Sequence, residues 1–308
     1  MSNDPNLHEL LQKLQQKYAA MGQDLSSYLD GLLYSDYLTY WDYIHLDTLL
    51  SLQTPKTSFP DEKVFIIYHQ ITELYFNLVL LEMEQIVDHP QLNEKFFCAR
   101  LDRIINYFHQ LVGSFGVMVE GMEREQFLKF RMSLLPASGF QSGQYRMIEI
   151  FSTDLINLVN VNERQTVDAH DIDQQIEKIY WRSGATELAT GKKTLTLQQF
   201  EEKYMERFKE MGDKHRDKNL RKLYLKNFSA SADVKSRLRE FDELANVRWP
   251  LAHFKSAARY LQKAPEDIKA TGGTNWQKYL PPRFQKIIFF PELWSESEKE
   301  EWGRAGLV

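Results

Sequence analysis

Residues 62–86 read EKVFIIYHQITELYFNLVLLEMEQI. Phe65, Ile67, Tyr68, Ile71, Leu74, Tyr75, Leu78, Val79, Leu81 and Ile86 recur there mostly at steps of three and four. Such steps return side chains to one face of a helix, so the stretch predicts a long amphipathic helix with a wide apolar face. His69, Gln70, Glu73 and Asn77 interrupt it, short of the roughly 20 unbroken apolar residues of a membrane span. The expectation is a core helix of a helical protein, with no membrane partner.

The pattern repeats outward from this stretch. Phe97, Leu101, Ile104, Ile105, Phe108, Leu111 and Val112 predict a second long helix. Gln144 to Leu158 predicts a third. A fourth begins at Val234, Leu238, Phe241, Leu244 and Val247 and runs through His253 to about Leu261. Pro250 lies inside it and should kink it, because proline lacks the backbone N–H and crowds the preceding turn. Shorter helices are expected at 6–20, 24–33, 43–51, 196–210 and 292–303. Nothing alternates with period two for long enough to mark a sheet. The fold class expected is all-α: one large helical bundle over 1–308, with a charged helical insert at about 160–232 packed on its surface.

Composition narrows the function. Lys and Arg number 38 against 43 Asp and Glu, a net charge of −5, which excludes a globally basic nucleic-acid binder. The single cysteine, Cys98, excludes an intrachain disulfide, a Cys-rich zinc site and a thiolate-held iron–sulfur cluster. Only 14 glycines argue against a Gly-rich α/β nucleotide fold. The N-terminal residues Met1 to Gln16 are polar and lack the apolar core of a secretory signal, so a cytoplasmic protein is expected.

With 8 histidines, each can be weighed. His8, His89, His170 and His215 sit in polar or terminal contexts and read as surface residues, while His45 and His109 lie in or beside apolar helices. His69 and His253 lie mid-helix among apolar residues. Each reads either as a satisfied core histidine or as a ligand. No HxxxH or HExxH pair supports zinc. A single axial histidine among aromatic and aliphatic side chains is what haem requires. Arg131, followed by Met132, Leu134 and Leu135, needs an anionic partner, either an internal glutamate or a bound carboxylate. Ser138-Gly139 could bring backbone close to a cofactor, and Thr271-Gly-Gly-Thr274 could hold a polar head group; a plain loop and a plain turn are the alternatives.

In order along the chain, several runs resemble the tryptophan 2,3-dioxygenase family. They are LTYWDYIHLDTLL at 38–50, DEKVFIIYHQITEL at 61–74, Phe130-Arg131 through SGFQSGQYR at 138–146, Trp249 to Arg259 around His253, Thr271-Gly-Gly, and FFPEL at 289–293. They span about 35–150 and 245–295.

The resemblance implies an almost all-helical protein holding haem b, assembled as a homotetramer. It also implies insertion of dioxygen into the indole C2–C3 bond of L-tryptophan, giving N-formylkynurenine. It places His253 as the axial haem ligand and His69 as the distal histidine that meets the indole N–H. Arg131 falls on the carboxylate clamp, Thr271 on the threonine holding the amino-acid head, and Phe65 on an aromatic against the substrate ring. Ser138 and Gly139 fall on the loop against the haem. Tyr40 and Tyr43 belong to an N-terminal arm, about 1–50, lent to a neighbouring subunit. Phe127 also falls in the substrate site, where a tyrosine is usual; His45 replaces a common arginine, and Pro250-Leu-Ala252 replaces a more basic run. These departures bear on which indole is oxidised. A relative acting on a modified tryptophan or another indole, and a haem-binding protein without turnover, are the alternatives.

Overall fold

A computed structural model describes residues 5–35, 38–134, 139–186, 192–261 and 281–304. Among the described residues every regular element is a helix, and the only strand-like pairings are two isolated bridges, Val159 with Ile179 and Thr186 with Lys193. The all-α expectation holds. The chain groups into two units, Met1–Thr54 and Pro55–Val308.

The first unit carries α1 (Pro5–Ala20), α2 (Leu25–Leu33), α3 (Tyr40–Tyr43) and α4 (Leu46–Ser51). Asp24 caps α2 by accepting the backbone N–H of Ser26 and Ser27. The helix expected over 43–51 is broken at His45, which adopts a left-handed conformation (φ 50°, ψ 47°).

In the second unit, the stretch quoted first becomes α5 (Pro60–Val87). Pro60 opens it with φ preset and no N–H to waste, and Asp61 and Glu62 place negative charge at the positive end of the helix dipole. Next come α6 (Glu94–Ser114), α7 (Gly116–Val119), α8 (Arg124–Phe130), α9 (Gly143–Ser152) and α10 (Leu155–Leu158). The single helix expected over 144–158 is two. Thr153 is extended between them, and its hydroxyl donates to the carbonyl of Phe289. After α11 (Ile172–Glu177) and α12 (Tyr180–Gly184), α13 (Leu195–Lys214) and α14 (Leu220–Asn227) lead to α15 (Ala232–Glu243) and α16 (Trp249–Leu261). A π-turn at Leu244–Arg248 joins α15 to α16 without a break. The widened turn supplies the room that Pro250 needs, so the proline is absorbed by one irregular turn. The helix expected over 292–303 divides into a 3-10 turn, Pro291–Leu293, and a short α-helix, Glu296–Glu300, opened by a capping box of Ser295 and Glu298.

The main core gathers Phe76, Val79 and Met83 of α5, Phe97, Leu101 and Phe108 of α6, and Val234, Leu238 and Phe241 of α15. The segment 160–232 was expected on the surface, and the structure corrects this. Ile176, Trp181, Leu197, Phe200, Phe208, Leu220 and Tyr224 are buried in the same core. Its charges lie on the solvent face, and its sparse apolar residues are enough to complete the bundle. His215, expected at the surface, is 3 % exposed and packs its ring 4.2 Å from that of Phe151. Burial, with Lys214 and Lys218 nearby, pushes its pKa down to about 4.

α5 also departs from expectation. It is long and apolar enough, by length and composition, to cross a membrane, although its hydropathy is interrupted. The cause is that Ile67, Ile71, Leu74, Leu78 and Leu81 lie on its exposed side, opposite the residues that face the core.

Candidate functional site

A second, smaller cluster lies beside the main core. Its buried members are Tyr68, Phe115, Met118, Met122, Phe127, Phe130, Tyr260 and Leu261, drawn from α5, α7, α8 and α16 and from the turns flanking α7. Two of the histidines singled out above border it.

On α5, Phe65 and His69 stand one turn apart with ring centroids 4.0 Å apart. His69 Nδ1 lies 2.7 Å from the Phe65 carbonyl oxygen. A carbonyl can only accept, so Nδ1 carries the proton and the neutral ring keeps an unprotonated Nε2. Burial pushes the His69 pKa down, against the opposing pull of that hydrogen bond and of Glu73. Phe65 packs 6.2 Å from Phe127 and 5.8 Å from Phe130, and Phe127 packs 4.7 Å from Tyr260. The Tyr260 hydroxyl donates to the carbonyl of Met118, which ties α16 to α7. Phe127 therefore sits among rings and brings no hydroxyl of its own.

His253 stands on α16, one turn after Trp249. Trp249 lies 5.7 Å from its ring, and Phe115 stacks at 5.9 Å and 21°. Burial pushes the His253 pKa down to about 4, and His69 adds to the shift, which places the two imidazoles in one electrostatic neighbourhood. No described residue hydrogen-bonds to either ring nitrogen of His253. Gly139 backs onto this ring: a Cβ there would lie 3.3 Å from Cε1 and 3.7 Å from Nε2. Any side chain would press on the imidazole, so this is a close approach that glycine permits.

Arg131 follows Phe130 at the start of a 3-10 turn, Arg131–Leu134, and is buried. Desolvation lowers its pKa from the usual arginine value. Tyr40 and Tyr43 lie on α3 in the first unit and are exposed. Ser138 and Thr271 lie outside the described residues. The structure thus brings Phe65, His69 and Phe127 into one aromatic pocket and sets His253 against Gly139.

Sequence reasoning passed over Phe115 and Tyr260, and gave Phe130 no role in the site. Phe115, between α6 and α7, and Tyr260 on α16 are distant in the chain and carry no spacing signal, unlike Trp249, which stands one turn before His253.

The donor set suits a haem. It offers a neutral imidazole with uncommitted nitrogens, aromatic walls, and a glycine where a side chain would crowd the ring. Neutral imidazole is the form that binds iron.

The tryptophan 2,3-dioxygenase family profile matches residues 31–211, more than half of the chain. A tryptophan 2,3-dioxygenase of Ruegeria sp. (strain TM1040) is 28% identical over 280 residues, covering 85% of this chain and 92% of that protein. That of Anaeromyxobacter dehalogenans (strain 2CP-C) is 28% identical over 274 residues, 86% of this chain and 97% of the relative. That of Sorangium cellulosum (strain So ce56) is 40% identical over 124 residues, 37% of this chain and 30% of the relative. A profile matching over half the chain and relatives aligned nearly end to end, on an all-helical fold, lead to one conclusion: the chain belongs to the tryptophan 2,3-dioxygenase family.

Proposed function

We propose that this protein is a haem-dependent dioxygenase that opens the indole C2–C3 bond of L-tryptophan with O2, giving N-formylkynurenine. The observation that carries the reading is His69, its proton fixed on Nδ1 beside Phe65, together with a neutral His253 set against Gly139 and close enough to His69 to feel its charge.

In this reading His253 holds the iron of haem b, and Ser138 and Gly139 line the cofactor. Bound haem supplies the oxygen chemistry. The chain's own groups position the substrate. The Arg131 guanidinium is a planar fork matched to a carboxylate, and burial strengthens such a pair. Thr271 holds the amino-acid head. Phe65 and Phe127 wall the indole and exclude water. With Nδ1 donating to Phe65, Nε2 of His69 is the acceptor left for an indole N–H. Anchors at the carboxylate and at the ring nitrogen fix the rotation of the indole, which is the positional part of catalysis. The assembly is a cytoplasmic homotetramer in which Tyr40 and Tyr43 reach a neighbouring subunit's site.

Phe127 favours a second reading, a modified tryptophan or another indole as substrate. A phenylalanine there, among Phe65, Phe130 and Tyr260, leaves the head of the substrate one hydroxyl partner short.

The test is turnover by reduced, haem-loaded protein with O2, followed by N-formylkynurenine absorbance, for L-tryptophan and a panel of indoles. Arg131→Leu should lower kcat/KM on tryptophan by about 30-fold or more, the loss of a buried charged partner at roughly 2–5 kcal/mol. Intact activity in that variant would remove the clamp. A Soret band without turnover on any indole would leave a haem-binding protein.

A further inference from the structure

His253 stands one turn after an irregular stretch of its own helix. Through Leu244–Arg248 the backbone bonds five residues back, and the Trp249 N–H donates to the Leu244 carbonyl. The next rung in this register would run from residue 250 to the carbonyl of Ala245, and Pro250 has no N–H to give. Ala245 is fully buried, so its carbonyl cannot turn to water. The Tyr145 hydroxyl of α9 fills the gap, donating to that carbonyl at 2.9 Å. The Tyr145 ring stacks on Trp249, 4.9 Å away at 26°, and Trp249 lies 5.7 Å from the His253 ring. Phe76 of α5 packs on both, 5.4 Å from Tyr145 and 5.6 Å from Trp249. α9 is a firm base for this brace: Arg146 donates to Glu149 at 2.9 Å and to the Tyr180 hydroxyl at 2.7 Å, and all three are buried.

We propose that Tyr145 is a positioning residue for His253: its hydroxyl replaces the backbone donor that Pro250 lacks, and so holds the π-turn that sets the bearing of the imidazole. A π-turn inserts one residue, which rotates everything beyond it by about 100° around the helix axis. The side of α16 on which His253 emerges therefore depends on that turn staying wide. Trp249, clamped between Tyr145 and His253, carries the constraint from the turn to the ring. Groups that orient a ligand from behind control how it meets a metal. The inference rests on His253 as the haem ligand, proposed above, and adds the residue that aims it. Tyr145 and Pro250 form a functional pair, because a hydroxyl at 145 or an N–H at 250 would serve the same carbonyl.

The test compares haem-loaded wild type, Tyr145→Phe and Tyr145→Phe/Pro250→Ala. Tyr145→Phe keeps the ring and removes only the hydroxyl. Amide exchange over residues 244–252 should quicken in it by about 10-fold, the size expected of one buried carbonyl left unpaired. The ferrous Fe–His stretching band should shift by several wavenumbers in resonance Raman spectra, and haem should pass to apomyoglobin about 10-fold faster. Pro250→Ala returns an N–H in register with the Ala245 carbonyl. The double variant should therefore recover wild-type exchange, band position and haem retention, a rescue that a packing role for Tyr145 would not show. Unchanged exchange in Tyr145→Phe would overturn the hydroxyl's hold on the turn. Quickened exchange with an unmoved Fe–His band would overturn the positioning of His253 while leaving the haem reading standing. A double variant as impaired as Tyr145→Phe would overturn the pairing with Pro250. A wild type without an Fe–His band would remove His253 as the ligand, and this inference with it.

Discussion

Asp242 and His253 lie on one continuous helix about three turns apart, and they are treated in opposite ways. Asp242 is fully buried and accepts four hydrogen bonds: from the backbone N–H of Phe289 at 2.9 Å and of Phe290 at 3.1 Å, from the Trp294 indole at 3.0 Å, and from the Asn246 amide at 2.8 Å. Burial still pushes its pKa up to about 6. His253 is pushed the other way, to about 4, and no described residue donates to or accepts from its ring. Buried polar groups are nearly always partnered, and Asp242 obeys that rule to the full. A partnered carboxylate is a fastener: it holds the FFPE run against α15. An unpartnered imidazole has bonding capacity left for something the chain does not supply, and perturbed groups of that kind gather at functional sites.

The largest effect that could break this contrast is at His253. His253→Ala should abolish haem retention, seen as loss of the Soret band, while the apoprotein's melting temperature changes little. A variant that melts early and still holds haem would reverse the assignment. At Asp242 the opposite pattern is expected. Asp242→Asn puts an NH2 among four donors and should cost roughly 1–3 kcal/mol, a drop of several degrees in Tm. Its pH dependence sharpens the point. A carboxyl whose pKa is raised in the folded state contributes stability that is present below the unfolded value of 3.8 and is lost as pH rises through about 6. The deficit of Asp242→Asn should therefore be widest near pH 4 and narrow by pH 7. An unchanged gap across that window would mean that Asp242 titrates normally. The smallest effect is at Gly139. Gly139→Ala sets a methyl 3.3 Å from His253 Cε1, tight but not closed, and should weaken haem affinity by a few fold without a change in Tm. Unaltered affinity would show that the loop yields.

The helices on either side of this contrast were legible. Period alone located α5, α6 and the α15–α16 rod to within a few residues, because a wide apolar stripe is a property of contiguous sequence. The types and order of His69, Arg131 and His253 were legible too, through the resemblance of the runs that hold them. Breaks inside predicted helices were not. His45 and Thr153 leave helical geometry for conformations that the spacing of apolar residues does not encode.

Sequence by itself thus determined the helical class and the long elements, and it named candidates for the chemistry-bearing residues. Only the tertiary structure decided which of them are buried and together. It took the polar segment 160–232 into the core through a few aromatics, and it buried His215 against Phe151. It set His69 where it lowers the pKa of His253, and it left an apolar stripe of α5 exposed among the described residues. Periodicity reports that a helix has an apolar face. What packs against that face, and therefore which polar groups lose water, depends on residues distant in the chain.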